Sequence, residues 1–120
     1  MEKHKVLIVD DSSIIRQVIE KYLQGYNIEI VGSASNGKDA LQIFREKNPD
    51  IVSLDITMPE MDGLSALEEM IKLKPNVKVM VVTALSDKAT GIRALKLGAK
   101  SFLAKPFTEQ KIKETFERLL

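Results

Sequence analysis

Five side chains that could build a cation site follow the ends of four apolar segments of the chain. They are Asp10, Asp11, Asp55, Thr83 and Lys105. Two carboxylates about 4 Å apart repel by roughly 4 kcal/mol at an effective dielectric near 20. Three carboxylates beside one ammonium therefore leave a charge deficit that a divalent cation would supply. Oxygen ligands in a chain without cysteine favour Mg²⁺, with Mn²⁺ as the alternative, over zinc.

Each of these residues also has an ordinary structural explanation. Asp10 and Asp11 could cap the first helix and complement its dipole. Asp55 could begin a turn, Thr83 could be a typical strand residue, and Lys105 could be a surface lysine. However, separate segments place complementary groups at one edge, and this joint pattern favours a functional site over a set of coincidences.

Asp55 is the best candidate for a nucleophile, because it stands alone after the central apolar segment. An ionised carboxylate beside a cation, an ammonium and a hydroxyl can accept a phosphoryl group without a general base. The carboxylate would attack phosphorus, Lys105 would neutralise the equatorial oxygens together with the cation, and Thr83 would donate to one oxygen. The paired acids, Asp10 and Asp11, are better suited as cation ligands.

Five short apolar runs alternate with five longer segments in which apolar residues have helical spacing. The runs are Val6–Val9, Ile28–Gly32, Ile51–Leu54, Val77–Val82 and Ser101–Ala104. Strict alternation predicts a parallel sheet with helices on both faces. Such folds bind ligands beyond the carboxyl ends of the strands, which all lie at one edge. The sheet would therefore bring the candidate side chains together.

The predicted fold class is α/β, a doubly wound five-stranded parallel sheet with five helices. The strand order 2-1-3-4-5 is borrowed from flavodoxin-like sheets. Glu29 and the shortness of the last run place the second and fifth strands at the edges. We expect Asn36 and Thr108 to cap helices, and Gly25 and Gly98 to end them in left-handed turns. Residues predicted on the apolar faces include Ile14, Ile15 and Ile19 in the first helix, and Ile92, Leu95 and the neighbouring Ala94 in the fourth.

The composition limits the class of protein. The chain has 120 residues, of which 44% are hydrophobic and 29% charged, as in ordinary globular domains. We expect one domain over residues 1–120. No apolar run approaches the roughly 18 residues of a membrane helix, and no secretory signal precedes the first strand, so we expect a cytoplasmic protein without membrane contact. The lone histidine, His4, should be exposed and uninvolved.

The net charge of +1 conceals an asymmetry. Residues 1–85 carry 10 basic and 13 acidic side chains, whereas residues 86–120 carry 8 basic and 4 acidic ones. The simple explanation is an uneven distribution of charged side chains over a solvated surface. The alternative is a basic face that binds an acidic or amphipathic partner. Nucleic acid is not an expected partner, because the basic residues lack interleaved aromatic side chains.

Four segments resemble, in order and spacing, the receiver domains of two-component response regulators. They are "VLIVDDSSIIR" (6–16), "DIVSLDITMPEMDG" (50–63), "VVTAL" (81–85) and "GAKSFLAKPF" (98–107). The resemblance covers essentially the whole chain and is strongest to the stand-alone, CheY-like receivers of chemotaxis. It implies a monomeric, phosphorylation-controlled switch and not a turnover enzyme.

By this resemblance, Asp55 accepts the phosphoryl group from a histidine kinase, Thr83 hydrogen-bonds it and Lys105 pairs with it. The implied Mg²⁺ ligands are Asp10, Asp11, Asp55 and the backbone carbonyl of Thr57. Phe102 falls at the aromatic switch position of the family. The Lys105–Pro106 bond is expected to be cis, and Leu85 is expected to slow the loss of phosphate to water.

The implied target is a protein that docks on the face formed by helix 4, strand 5 and helix 5, with the flagellar switch protein as a candidate. Basic residues of this region are Lys88, Arg93, Lys96, Lys100, Lys111 and Lys113. Two alternatives remain open. The chain could be a receiver cut from a longer DNA-binding or output regulator. A phosphohydrolase would require a second acid two residues after the nucleophile, where this chain has Thr57.

Overall fold

The structure, a computed structural model, describes residues 2–57 and 63–120. Strands and helices alternate along these residues, as predicted. The strands are β1 (His4–Val9), β2 (Ile28–Ala34), β3 (Ile51–Asp55), β4 (Lys78–Ala84) and β5 (Ser101–Lys105). The helices are α1 (Ser13–Tyr22), α2 (Gly37–Lys47), α3 (Gly63–Leu73), α4 (Lys88–Leu97) and α5 (Glu109–Glu117). Among the described residues, no helix combines the length and apolar character that crossing a membrane would require.

The five strands form one parallel sheet in the order β2-β1-β3-β4-β5, which confirms the predicted fold class. β2 and β5 lie at the edges, as the polar Glu29 and the short last run indicated. The register pairs Asp55 with Val82, and Ala84 with Lys105. The carboxyl ends of β3, β4 and β5 therefore lie side by side at one edge of the sheet.

Each central strand is buried on both faces because its successive side chains enter two different cores. In β1, Leu7 and Val9 face a core built with α2, α3 and α4. Their neighbours Val6 and Ile8 face the second core, which α1 and α5 cover. This arrangement explains why the run reads as continuously apolar instead of alternating with polar residues.

The predicted helix ends are confirmed except at Gly25. The side chain of Asn36 accepts the backbone N–H of Asp39 at 2.8 Å, and that of Thr108 accepts the N–H of Lys111 at 3.1 Å. Gly98, with a φ angle of 122°, is the C-cap of α4. Gly25 also has a positive φ of 99°, but it lies two residues after Leu23, which is the C-cap of α1, so the prediction that it ends this helix is wrong. Left-handed backbone of this kind favours glycine, because a Cβ would be strained there.

The predicted apolar faces of α1 and α4 are partly wrong. Ile14 is 70% exposed, because it lies one position outside the stripe that Ile15 and Ile19 form, a rotation of about 100° around the helix. In α4, Ile92 and Leu95 are 49% and 37% exposed. That helix packs through Gly91 and Ala94, of which Ala94 was predicted.

The expectation for His4 is also wrong. The residue is the first of β1, and its backbone N–H donates to the carbonyl of Asn27 at 3.0 Å. Its side chain is half-buried and not exposed. The strand begins earlier than the apolar run because the backbone ladder to β2 extends to His4, where it pairs with Ile28.

Candidate functional site

The predicted site residues meet at the carboxyl edge of the sheet, which is called the rim from here on. Asp10 follows β1 directly, Asp55 is the last residue of β3, and Lys105 is the last residue of β5. Carboxylate oxygens of Asp10, Asp11 and Asp55 all lie within 4.8 Å of one another. The structure thus brings together the three acids that the sequence placed at separate strand ends.

Asp10 is fully buried and its backbone is fixed by the neighbouring strand. Its N–H donates to the carbonyl of Ala34 at 3.0 Å, and its Oδ1 accepts the N–H of Ser12 at 3.0 Å. Burial raises the pKa of Asp10, and this effect outweighs the opposing contacts with Lys105 and the Ser12 amide. The charged form of Asp10 is therefore held at a cost when no cation is bound.

The capping explanation for Asp10 and Asp11 does not hold. Ser12 is the N-cap of α1, and its hydroxyl accepts the N–H of Ile15 at 3.3 Å. The side chain of Asp10 is buried, whereas that of Asp11 is exposed at the rim. Since Ser12 already serves the helix end, the two acids remain available for another role.

The two carboxylate oxygens of Asp55 have different surroundings. Oδ1 accepts two hydrogen bonds from Thr57, one from the backbone N–H at 2.9 Å and one from the hydroxyl at 2.7 Å. Oδ2 has a single, longer contact with the Lys105 ammonium at 3.4 Å. Asp55 is 1% exposed. Of the two oxygens, Oδ2 has the less occupied lone pairs.

Lys105 joins the two buried acids. Its ammonium lies 2.9 Å from Oδ2 of Asp10 and 3.4 Å from Oδ2 of Asp55. Burial works against the charged lysine, but the contacts with Asp10 and Asp55 outweigh it and raise the pKa of Lys105. The lysine therefore stays charged at neutral pH. Its peptide bond to Pro106 is cis, as the resemblance implied.

One buried oxygen at the rim fits a cation. Oδ2 of Asp10 lies 2.9 Å from the Lys105 ammonium, and this ion pair is its one close polar contact among the described residues. No backbone or hydroxyl group of these residues donates to it, so its remaining lone pairs are available to a cation. An all-oxygen set of three carboxylates suits a hard divalent cation.

Thr83 lies in β4, one residue before its end, and its side chain is fully buried. The hydroxyl donates to the backbone carbonyl of Asp87 at 3.3 Å. Asp87 is the N-cap of α4, where its carboxylate accepts the hydroxyl of Thr90 at 2.7 Å. The hydroxyl of Thr83 therefore connects the rim of the sheet with the first turn of α4.

Phe102 is half-buried on β5 and packs against the core under α4. A Cβ atom placed on Gly91 would lie 3.2 Å from Cδ2 of the Phe102 ring and 3.5 Å from Cγ2 of Thr83. Because Gly91 has no side chain, Phe102 and Thr83 can both pack against α4 at this position. The structure places the predicted switch residue and Thr83 against the same turn of α4.

Two further predicted positions flank the site. Leu85 follows β4, is 55% exposed, and donates its N–H to the carbonyl of Lys105 at 3.0 Å. The hydroxyl and N–H of Thr57 are described above, and its carbonyl as a cation ligand stays a prediction. Residues 58–62 of the motif that follows Asp55 lie outside the described residues.

Sequence reasoning missed three residues that support the site. Ser12 had a signal, since a serine before a helical apolar pattern is a typical N-cap. Arg16 donates from its guanidinium to the carbonyl of Asp10, and Asp87 accepts from Thr83. These two contacts involve backbone carbonyls that only the folded loops bring into reach, so no pattern in the sequence indicates them.

The sequence model of the response regulator receiver domain matches residues 6–117. The chain belongs to this family, whose members are phosphorylation-controlled signalling modules of two-component systems. The chemotaxis protein CheY of Thermotoga maritima is 40% identical over 115 residues, which are 96% of this chain and 96% of that protein.

Solved structures agree with this assignment. The receiver domain of AraT, a response regulator from Geobacillus stearothermophilus, has a TM-score of 0.91 at 30% identity and covers 97% of this chain and 92% of its own. CheY in the CheX–CheY–BeF3–Mg²⁺ complex from Borrelia burgdorferi has a TM-score of 0.87 at 32% identity, with 96% of this chain and 87% of that chain covered. The fold and the family are therefore established together.

Proposed function

We propose that residues 1–120 act as one receiver domain that accepts a phosphoryl group from a histidine kinase on Asp55 and serves in chemotaxis. The observation that carries the proposal is the position of Asp55, buried at the strand end with Oδ2 facing the Lys105 ammonium at 3.4 Å. Similarity to the Thermotoga chemotaxis protein over 96% of both chains supports the chemotaxis role.

The proposed cofactor is Mg²⁺, with Mn²⁺ able to replace it. The proposed ligands are Asp10, Asp11, Asp55 and the backbone carbonyl of Thr57. The fit rests on the buried Oδ2 of Asp10, whose one close polar contact among the described residues is the Lys105 ammonium, and on the close approach of the three carboxylates. When bound, the cation supplies positive charge that helps neutralise the phosphoryl oxygens.

The chain's own residues account for the transfer step. Oδ2 of Asp55 attacks phosphorus, an O–P bond forms, and the N–P bond of the phosphohistidine breaks with its electron pair returning to the imidazole. Lys105 balances the charge on one phosphoryl oxygen, and the hydroxyl of Thr83 donates to another. Thr57 holds Oδ1 through two hydrogen bonds, which leaves Oδ2 as the attacking atom.

Phosphorylation would change the surface of the domain because the hydroxyl of Thr83 exchanges one hydrogen-bond acceptor for another. Its hydroxyl now donates to the carbonyl of Asp87 at the start of α4. A phosphoryl oxygen on Asp55 is a stronger, charged acceptor, so the hydroxyl moves toward it and releases that carbonyl. Phe102 packs against the same turn of α4 and can take the space that Thr83 vacates. The phosphoryl charge thereby biases the α4–β5 surface.

The target face in this proposal consists of α4, β5 and α5, with the flagellar switch protein as the candidate partner. Positive charge is concentrated on α4, where Lys88, Arg93 and Lys96 are exposed. On α5, Lys113 already pairs with Glu109 at 2.7 Å. Changing Lys96→Glu should therefore weaken target binding while phosphorylation continues. Lys47→Glu on the exposed surface of α2 is the matched control.

The same proposal includes a monomeric, cytoplasmic protein that is not a turnover enzyme and binds no nucleic acid by itself. A phosphohydrolase with an aspartyl intermediate uses a second acid two residues after the nucleophile. Here Thr57 occupies that position and donates to Asp55. Rapid release of phosphate over many turnovers from excess phosphodonor, with a phosphorylated form too short-lived to detect by intact mass, would contradict a switch.

The decisive experiment is intact-mass spectrometry after incubation with acetyl phosphate and Mg²⁺. We expect one added phosphoryl group on the wild type, mapped to Asp55, and none on Asp55→Asn. Omission of Mg²⁺ or addition of EDTA should prevent the modification. Labelling of Asp55→Asn to the wild-type extent, or labelling that is independent of the cation, would refute the proposed site.

A further inference from the structure

Arg16 contacts the site from a position that the proposed reaction does not use. It lies on the first turns of α1, is half-buried, and donates from Nη1 to the backbone carbonyl of Asp10. The guanidinium therefore bridges α1 and the loop that carries both Asp10 and Asp11. It is the contact by which a side chain of α1 reaches the backbone of that loop.

The carbonyl of Asp10 lies beyond the sheet ladder. β1 ends at Val9, and pairing with β2 extends only to Val9 and Ala34. The N–H of Asp10 donates to Ala34, and Oδ1 accepts from Ser12. With Arg16 on the carbonyl, the protein supplies a hydrogen-bond partner to every polar atom of Asp10 except Oδ2. Of these atoms, Oδ2 is the one that contacts the Lys105 ammonium, which also contacts Asp55.

The charge of Arg16 does not neutralise the rim. Among the described residues, no carboxylate oxygen lies within ion-pair distance of its guanidinium, whereas Lys105 contacts both buried acids. The guanidinium therefore fixes the backbone of Asp10 through a carbonyl dipole. The negative charge of the three carboxylates remains available for a cation.

We propose that Arg16 is a positioning residue for the cation site: it holds the backbone of Asp10 so that the Asp10 carboxylate stays beside those of Asp11 and Asp55. This inference rests on the proposed role of the carboxylates as cation ligands. Partners that orient metal ligands usually affect metal affinity by about 10- to 100-fold. Arg16 acts on the ligand Asp10 through its main chain and contacts neither the cation nor the phosphoryl group.

Whether Mg²⁺ affinity rises or falls when Arg16 is replaced distinguishes a positioning role from a purely electrostatic one. Removing a positive charge near a cation site should strengthen cation binding, because a like charge has been taken away. Removing a positioning contact should weaken it, because Asp10 gains other orientations. We therefore expect Arg16→Met, which has no charge and no donor, to bind Mg²⁺ roughly tenfold more weakly than the wild type.

The test is calorimetric titration of the full chain with MgCl₂, with thermal unfolding in EDTA as the measure of folding. Arg45→Met is the matched control, because Arg45 is exposed on α2 and its nearest carboxylate is that of Glu69 at 3.9 Å. It should bind Mg²⁺ like the wild type. Arg16→Met should keep the unfolding temperature of the metal-free protein and lose the affinity.

Three outcomes would overturn the inference. Arg16→Met could bind Mg²⁺ as tightly as the wild type, or more tightly, while Arg45→Met is unchanged. If Arg16→Met does not fold, Arg16→Ala, which also lacks a donor, replaces it, and an unchanged affinity there has the same meaning. A wild type that takes up no Mg²⁺ and no phosphoryl group would instead refute the proposed function itself, and the inference with it.

Discussion

Single residues at the rim are arranged for binding at a cost to stability. Asp10 is buried, with a raised pKa, and it shares one lysine with Asp55. The exposed Asp11 adds a third negative charge within 4.8 Å. Functional sites commonly hold such unfavourable arrangements in the absence of their ligand. Removing one charge should therefore stabilise the metal-free protein and weaken cation binding.

Asp11→Asn tests this trade-off, because Asp11 makes no contact with Lys105. We expect the metal-free variant to gain about 1 kcal/mol in the free energy of unfolding, or roughly 4 °C in melting temperature. In saturating Mg²⁺ the order should reverse, since the wild type gains more from the cation. Thermal unfolding in EDTA and in Mg²⁺ measures both effects.

Glu20→Gln, an exposed acid on α1, is the control for the loss of one negative charge. It should change neither melting temperature by more than about 1 °C. If Asp11→Asn melts at or below the temperature of the wild type in EDTA, the three acids do not repel one another as their distances indicate.

Leu85 should control, through its side chain, how fast the phosphorylated protein loses its phosphoryl group to water. It is 55% exposed and tied to Lys105 through its backbone N–H. Its side chain should obstruct water that approaches phosphorus opposite the Asp55 oxygen. Leu85→Ala should therefore shorten the lifetime of the phosphorylated protein several-fold, as measured by intact mass over time after the phosphodonor is removed. Leu73→Ala, which is also exposed but lies on α3, should leave the lifetime unchanged.

The identities of Asp10, Asp55, Thr83 and Lys105 were predictable because parallel strands end at one edge and their order along the chain is fixed. The supporting contacts were not predictable. Arg16 reaches a carbonyl of the β1–α1 loop, and the hydroxyl of Thr83 reaches the carbonyl of Asp87. Backbone carbonyls carry no sequence signal, so such bonds become visible only in the folded structure.

At the scale of elements, the strands were easier to predict than the helix faces. Burial on both faces gives a central strand a continuous apolar run, and β1, β3 and β4 were found from it. A helix packs through whichever side fits, and α4 packs through Gly91 and the predicted Ala94, while Ile92 and Leu95 are exposed. Counting large apolar residues therefore gave a face for α4 that is only partly right.

Gly91→Ala tests how α4 rests on the sheet. The glycine does not have a left-handed backbone, so alanine should favour the helix by up to about 1 kcal/mol. The added methyl, however, would lie 3.2 Å from the Phe102 ring, which is too close without a shift. Such crowding usually costs about 1–3 kcal/mol, so we expect a net loss of about 1 kcal/mol in urea denaturation.

A double-mutant cycle assigns that loss to the ring. Phe102→Leu leaves more room next to Gly91, so the double variant should recover at least half of the stability that Gly91→Ala loses relative to Phe102→Leu alone. A Gly91→Ala variant that is more stable than the wild type would show that α4 is not seated against Phe102.

At the scale of the whole molecule, the sheet separates two cores, and each core joins residues that are distant along the chain. α1 and α5 cover one face together, so the first and last helices are held to the same core. Tyr26, in the loop after α1, crosses to α5: its hydroxyl donates to Glu117 at 2.6 Å, and its ring centroid lies 5.4 Å from that of Phe116. This contact joins the start of the chain to its end.

The pH dependence of the unfolding free energy should depend on the contact between Tyr26 and Glu117. Burial, the hydrogen bond to Glu117 and the negative charge of that carboxylate raise the pKa of Tyr26 to about 12. An unfolded tyrosine titrates near pH 10, at roughly its ordinary value. Since the folded pKa is the higher one, the contribution of Tyr26 is complete below about pH 10 and is lost as the pH rises toward about 12.

Tyr26→Phe keeps the ring contact and removes the hydroxyl. We therefore expect the wild type to exceed the variant in unfolding free energy at pH 8 and to lose part of that advantage at pH 11, where other groups titrate alike in both proteins. Tyr22→Phe leaves Tyr26 as the single phenol, and its phenolate absorbance should then appear near pH 12. A midpoint near pH 10 would mean that the loop after α1 is not held against α5.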